Sequence, residues 1–170
     1  ASRFINEKDP HSTAVMLLLQ PGKVSWAHCG DSRLYRYHDD QLIFRTIDHS
    51  YVEQLLAKGK ITPQQAAVHA KRNILITSLG GQEAPKIDYG MAEDLQGGDS
   101  FLLCSDGLWG YFSDAELGQV LARHSARESC DILITQARQR AGGEGDNVSV
   151  AILKLVEIDV PAKPPAPAKR

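Results

Sequence analysis

Apolar residues along this chain come in short runs whose period switches between two and about 3.6, the pattern of strands followed by helices. Residues 13–20 (TAVMLLLQ) and 23–29 (KVSWAHC) are apolar and β-compatible, and Pro21-Gly22 between them predicts a hairpin. Leu34–Tyr37 and Gln41–Arg45 form a second pair across Asp39-Asp40. Ile87–Ala92 and Ser100–Cys104 read as further strands, the latter entered through Gly97-Gly98-Asp99, and Val148–Leu153 reads as the last. Val15–Leu19 and Val148–Leu153 carry apolar side chains on both faces. Such strands need cover on both sides, so sheet packed on sheet with helices outside is expected.

Between Ser50 and Leu79 the period becomes helical. Tyr51–Leu56 predicts a short helix stopped at Gly59, and Thr62-Pro63-Gln64-Gln65 supplies an N-cap, a first-turn proline and a capping-box Gln. This insertion has the look of a surface flap. Two more helices are announced by the capping boxes Ser113–Glu116 and Ser125–Glu128. In the second, Ala126, Cys130, Leu133, Ile134 and Ala137 line one stripe at helical spacing, read as core packing, and Gly142-Gly143 closes the helix. After Glu157 the chain becomes rich in proline, alanine and lysine, and Ile158–Arg170 is expected to be an extended tail or linker.

Composition bounds the function. The 170 residues fit one domain of useful core size. A net charge of -2, from 19 basic and 21 acidic residues, gives no global field for nucleic acid or an anionic membrane. No apolar run approaches the roughly 18 residues of a membrane span. Three cysteines with no C-x-x-C pair argue against a disulfide framework and for a reducing, cytoplasmic location. Cys29, Cys104 and Cys130 are read as packed thiols.

Candidate chemistry sits in acidic turns at strand ends. Gly30-Asp31-Ser32, Ser105-Asp106-Gly107 and Gly145-Asp146-Asn147 each place a carboxylate beside glycine at the end of a hydrophobic strand. A lone Gly-Asp turn usually hydrogen-bonds its own backbone. Three of them, far apart in sequence, suggest hard oxygen ligands for Mg2+ or Mn2+ in a phosphoester enzyme. Asn147 is placed to orient Asp146. His49 is read as a turn stabiliser rather than an acid–base group, Arg33 as the partner of a nearby carboxylate or carbonyl, and His28, Trp26 and Trp109 as packing.

Ordered blocks extend the pattern: Ser12-Thr13-Ala14, Gly30–Tyr35, Asp48-His49-Ser50, Arg72-Asn73 with Ser78-Leu79-Gly80, Leu102–Trp109 and Gly145–Val150. Together they resemble the metal-dependent protein serine/threonine phosphatases of the type 2C class, from about Ser12 to Val156. The resemblance implies an α+β fold, a four-layer α-β-β-α sandwich of two antiparallel sheets flanked by helices. It implies Asp106 and Asp146 as ligands of a centre of two Mn2+ or Mg2+ ions, with Asp31 at a position that can hold a third. Water activated by the metals would hydrolyse phosphoserine and phosphothreonine without a phosphoenzyme. The partners implied are phosphorylated proteins, targets of a serine/threonine kinase, with no nucleic acid or membrane, and the protein acting as a monomer. The segment from Ser50 to about Leu79 corresponds to the flap beside the active site.

The family's opening features do not appear here: a phosphate-gripping Arg, an early acidic strand and an Asp-Gly-x-Gly-Gly-His block. Asn6-Glu7-Lys8-Asp9 has neither the glycines nor the His. Residues 1–157 are therefore expected to be the later two-thirds of a catalytic domain whose first strands lie upstream. The alternative is a non-catalytic scaffold or phosphoprotein-binding module without a complete metal centre.

Overall fold

The computed structural model describes residues 10–80, 84–142 and 145–156. The expected tail from Ile158 to Arg170 and the Asn6–Asp9 stretch lie outside the described residues. Among the described residues seven strands form two antiparallel sheets: β1 (Ala14–Gln20), β2 (Lys23–Cys29) and β5 (Asp88–Ala92) in one, β3 (Arg33–His38), β4 (Gln41–Arg45), β6 (Asp99–Cys104) and β7 (Val150–Lys154) in the other. Strand order is β1-β2-β5 and β4-β3-β6-β7, so the two predicted hairpins are adjacent pairs in different sheets.

The pleat decides what each strand buries. Val24, Leu34 and Phe101 meet between the sheets, joined by Val15, Leu17, Trp26, Phe44, Leu103 and Leu153. Alternate residues of β3 and β6, among them Tyr35, Tyr37, Leu102 and Cys104, turn the other way onto Leu117, Leu121, Leu133 and Ala137. These four belong to α4 (Asp114–Arg123) and α5 (Ala126–Arg140), which cover the outer face of the four-stranded sheet. Both helices start at the predicted capping boxes, with Ser113 and Ser125 accepting from the backbone of Glu116 and Glu128. The α5 stripe is shifted from the expected one: Ser129 is buried and Cys130 only half-buried. Lys154 of β7 donates to the carbonyls of Leu121 and His124, satisfying acceptors that the end of α4 leaves open.

The insertion contains α1 (Tyr51–Ala57), N-capped by Ser50, and α2 (Pro63–Ala67), with the Thr62–Gln65 capping box formed. One further helical turn, α3 (Asp106–Trp109), follows β6 where the sequence suggested only a turn. Among the described residues no helix is long and apolar enough to cross a membrane.

Two antiparallel sheets with helices outside are present as expected, and among the described residues the cover on β1 is one-sided. Val15 and Leu17 point into the sheet interface, whereas Met16 and Leu18 are 68% and 58% exposed. Register extends that face into two rows, Met16–Ala27–Tyr89 and Leu18–Ser25–Met91. No described helix packs on this side, so the described residues form three layers, β-β-α. β7 does meet the expectation, with Val150 and Ile152 on one core and Leu153 on the other.

A buried ion network, not foreseen from sequence, pins β3 to β6. Arg36 donates to both Asp99 (2.7 Å) and Asp94 (2.8 Å), and His38 Nδ1 lies 3.0 Å from the other Asp99 oxygen. The Asp99 side chain is 1% exposed and that of Asp94 72%, and this separates their worth. Asp99→Ala leaves the buried Arg36 guanidinium with only the exposed Asp94 as counter-charge and is expected to cost about 3 kcal/mol. Asp94→Ala removes a solvent-screened partner and is expected to cost under about 1 kcal/mol. Denaturant melts of the two variants check the contrast.

Candidate metal centre

Register gathers the three acidic turns at one end of the four-stranded sheet. Arg33 of β3 pairs with Cys104 of β6, and Cys104 pairs with Val150 of β7. Asp31 precedes that line, Asp106 follows it, and Asp146 lies in the turn leading into it. Burial raises Asp31 and Asp106, and their charges add to it: Asp106 acts on Asp31, and Asp146 on Asp106.

Several contacts hold this end together. Ser105 donates its hydroxyl proton to the Asn147 carbonyl (3.1 Å) and accepts the Ser149 amide (3.0 Å), tying the Asp146 turn to the end of β6. Gly107 permits the approach, since a Cβ there would lie 2.5 Å from the Asn147 carbonyl oxygen. Gly30 has φ 101°, and a Cβ on it would meet Thr13 Cγ2 at 2.3 Å, so that turn also requires glycine. Trp109, read from sequence as packing, has a further part: its Nε1–H donates to the Asp31 carbonyl at 3.0 Å, linking α3 to the first acidic turn.

Arg33 pairs with Asp48 through two 2.8 Å hydrogen bonds and lies 3.5 Å above the Trp109 ring, as the carboxylate-pairing reading expected. Asp48 as the carboxylate that clamps the Arg33 guanidinium was not singled out from sequence, although Asp48-His49-Ser50 was visible as a block. His49 is buried, accepts the Gly30 amide at Nδ1 (3.3 Å) and meets Asp88 at Nε2 (3.1 Å), which is turn stabilisation. Asn147 touches Asp146 through its backbone: its amide donates to Asp146 Oδ1 at 2.7 Å. The Gly107 amide does the same for Asp106 Oδ1 at 2.9 Å.

Donor chemistry fits a hard divalent cation. Asp31, Asp106 and Asp146 make no salt bridge among the described residues, and the second oxygen of Asp106 and of Asp146 has no protein hydrogen bond there. Burial and the charges of Asp106 and Asp48 raise Asp31 from the usual 3.8 to about 6. Burial, then Asp146, raises Asp106. A bound cation would remove that repulsion. The carboxylates of Asp106 and Asp146 border a cleft of about 530 Å³ whose other walls include Arg33, Asp48, Glu53 and Arg72. Burial pushes the Cys104 thiol up to about 12, so it offers no nucleophile at neutral pH.

Two antiparallel sheets, a helical layer and an acidic sheet end make up the described structure, and comparison with known proteins gives its family. No family model matches the chain. The serine/threonine phosphatase stp of Listeria innocua is 35% identical over 144 residues, which are 84% of this chain and 56% of that protein. The crystal structure of the Mycobacterium tuberculosis serine/threonine phosphatase PstP/Ppp matches with TM-score 0.77 at 34% identity, over 85% of this chain and 60% of that one. A structure of the PstP catalytic domain in complex with two manganese ions matches with TM-score 0.70 at 31% identity, over 86% and 60%. The chain belongs to the metal-dependent serine/threonine phosphatase family, the PPM or type 2C class. It spans a little over half the length of these relatives.

Two outcomes follow from this geometry. Gly107→Ala forces the Asp106 and Asp146 turns apart, and is expected to cost about 1–3 kcal/mol in a thermal melt and to weaken Mn2+ binding by titration calorimetry. The raised Asp31 carboxyl favours the fold fully only below about pH 4, and that support is lost as pH rises through about 6. Asp31→Asn should therefore stabilise the metal-free chain at pH 8, by about 1–2 kcal/mol after allowance for solvent screening. That gain should vanish at pH 4.

Proposed function

We propose that residues 1–157 form part of the catalytic domain of a protein phosphatase that hydrolyses phosphoserine and phosphothreonine, with Asp106 and Asp146 holding a divalent pair and Asp31 a third cation. The observation that carries this reading is that Asp106 and Asp146, unpaired with any cation among the described residues, border one cleft, with Asp31 near enough for the charge of Asp106 to act on it. Family membership and the manganese-bound relative support it. Mn2+ or Mg2+ would supply Lewis acidity, lowering the pKa of water and offsetting charge on the phosphoryl oxygens.

The chain's own residues position and select. The Ser105 hydroxyl and Gly107 hold the two carboxylates side by side, and the Arg33–Asp48 pair with Trp109 keeps the Asp31 turn in place. Residues 50–79 act as a flap. Val52, Leu56, Ala66 and Arg72 line the cleft, giving apolar contact and one cation beside the acidic site for a phosphorylated side chain and its flanks. The substrates are phosphorylated proteins, and the enzyme works as a cytoplasmic monomer against a serine/threonine kinase, its tail from Ile158 to Arg170 serving as a spacer.

The full-length gene product, assayed with a phosphothreonine peptide, is expected to require Mn2+ or Mg2+ and to lose activity to a chelator. Asp106→Ala and Asp146→Ala should each bring hydrolysis to background with the circular dichroism unchanged. Full activity in both variants would sink the proposal.

A further inference from the structure

A second group of ligating side chains lies outside the acidic sheet end. His28, His49 and Asp88 each offer a donor atom, and those atoms all fall within 4.8 Å of one another. They come from three segments. His28 is the last inward-facing residue of β2, Asp88 is its register partner at the start of β5, and His49 comes from the loop between β4 and α1. Their rings stack, centroids 4.6 Å apart and 24° from parallel. His28 is 5% exposed and His49 3%.

Hydrogen bonding leaves this cluster incomplete. His28 Nε2 lies 3.0 Å from the Ile47 carbonyl, which can only accept, so Nε2 carries the proton. Nδ1 therefore presents a lone pair, and it is buried with no partner. An orphaned ring nitrogen at such a depth carries a desolvation cost of about 1–3 kcal/mol. A histidine whose far nitrogen donates to a backbone carbonyl is also the usual form of a metal-binding imidazole. Asp88 stays ionised, its carboxyl held below the usual range by His49 and then Lys86, and it is half-exposed, which leaves an entry path from solvent.

We infer that His28, His49 and Asp88 form a binding site for a borderline-soft divalent cation, Zn2+, separate from the carboxylate centre. Two imidazoles and one carboxylate suit Zn2+ far better than Mg2+ or Ca2+, and a water would complete the usual four positions. The donors must close from their present spread toward about 2.0–2.1 Å from the metal. His49 now accepts the Gly30 amide at Nδ1 and carries its proton on Nε2. Coordination through Nε2 moves that proton to Nδ1, and the long 3.3 Å bond from Gly30 is given up. Lys86, 3.0 Å from Asp88, swings out to solvent as the cation enters. The bound ion would staple β2, β5 and the 47–50 loop together behind the turn that bears Asp31.

The test titrates the chelator-stripped full-length protein with Co2+, a visible stand-in for Zn2+, under excess Mg2+ to occupy the carboxylate centre. One equivalent should develop the intense absorption of low-coordinate, imidazole-bound Co2+, and Zn2+ should bleach it. In ¹⁵N-labelled protein, Zn2+ should shift the ring nitrogens of His28 and His49 and the Gly30 amide. His28→Phe keeps a ring on His49 but removes the donor, and Asp88→Asn removes the charge at a half-exposed position. Each should weaken binding by at least about tenfold. Should His28→Phe fail to fold, Asp88→Asn decides alone. No low-coordinate band in the wild type, or equal affinity in the folded variants, overturns the site.

Discussion

Like charges brought to one end of a sheet repel, and much of this molecule is organised around keeping Asp31, Asp106 and Asp146 together despite it. The β3-β6-β7 register sets the distance. The Ser105 bridge, the Gly107 contact and the Trp109 hydrogen bond then fix the turns themselves. Burial first, and the neighbouring carboxylate second, raise the carboxyls of Asp31 and Asp106.

Buried charge is handled differently elsewhere. Arg36–Asp99 and Arg33–Asp48 are complete pairs, each with two hydrogen bonds between guanidinium and carboxylate. They clamp strands and loops at opposite ends of β3. The His28–His49–Asp88 group falls between these cases, mostly bonded but with one nitrogen left over. Paired ions mark structure here, whereas unpaired donors mark places where something else is expected to bind.

Much of the fold was legible in the residues. Alternation and the Pro21-Gly22 and Asp39-Asp40 turns gave both hairpins, and three capping boxes gave the starts of α2, α4 and α5. These are local signals, encoded within a few residues. The acidic turns of the site were legible for the same reason, as carboxylate and glycine side by side at strand ends. Asp48 as the partner of Arg33, Trp109 as a link to Asp31, and the Arg36–Asp99 network were not. Each joins residues 15 or more apart, and nothing in their immediate neighbours announces the partner.

The exposed rows Met16–Ala27–Tyr89 and Leu18–Ser25–Met91 show the limit most clearly. A strand's apolar content says that both faces are suited to burial; it does not say what packs on each. By itself the sequence determined most of the elements, their caps, the family and the acidic turns at strand ends, because those depend on short-range spacing. Only the tertiary structure decided which carboxylates meet, which cations are already committed to partners, and which histidine nitrogen is left unpaired. Those follow from register and sheet packing, which bring together residues that the chain keeps far apart.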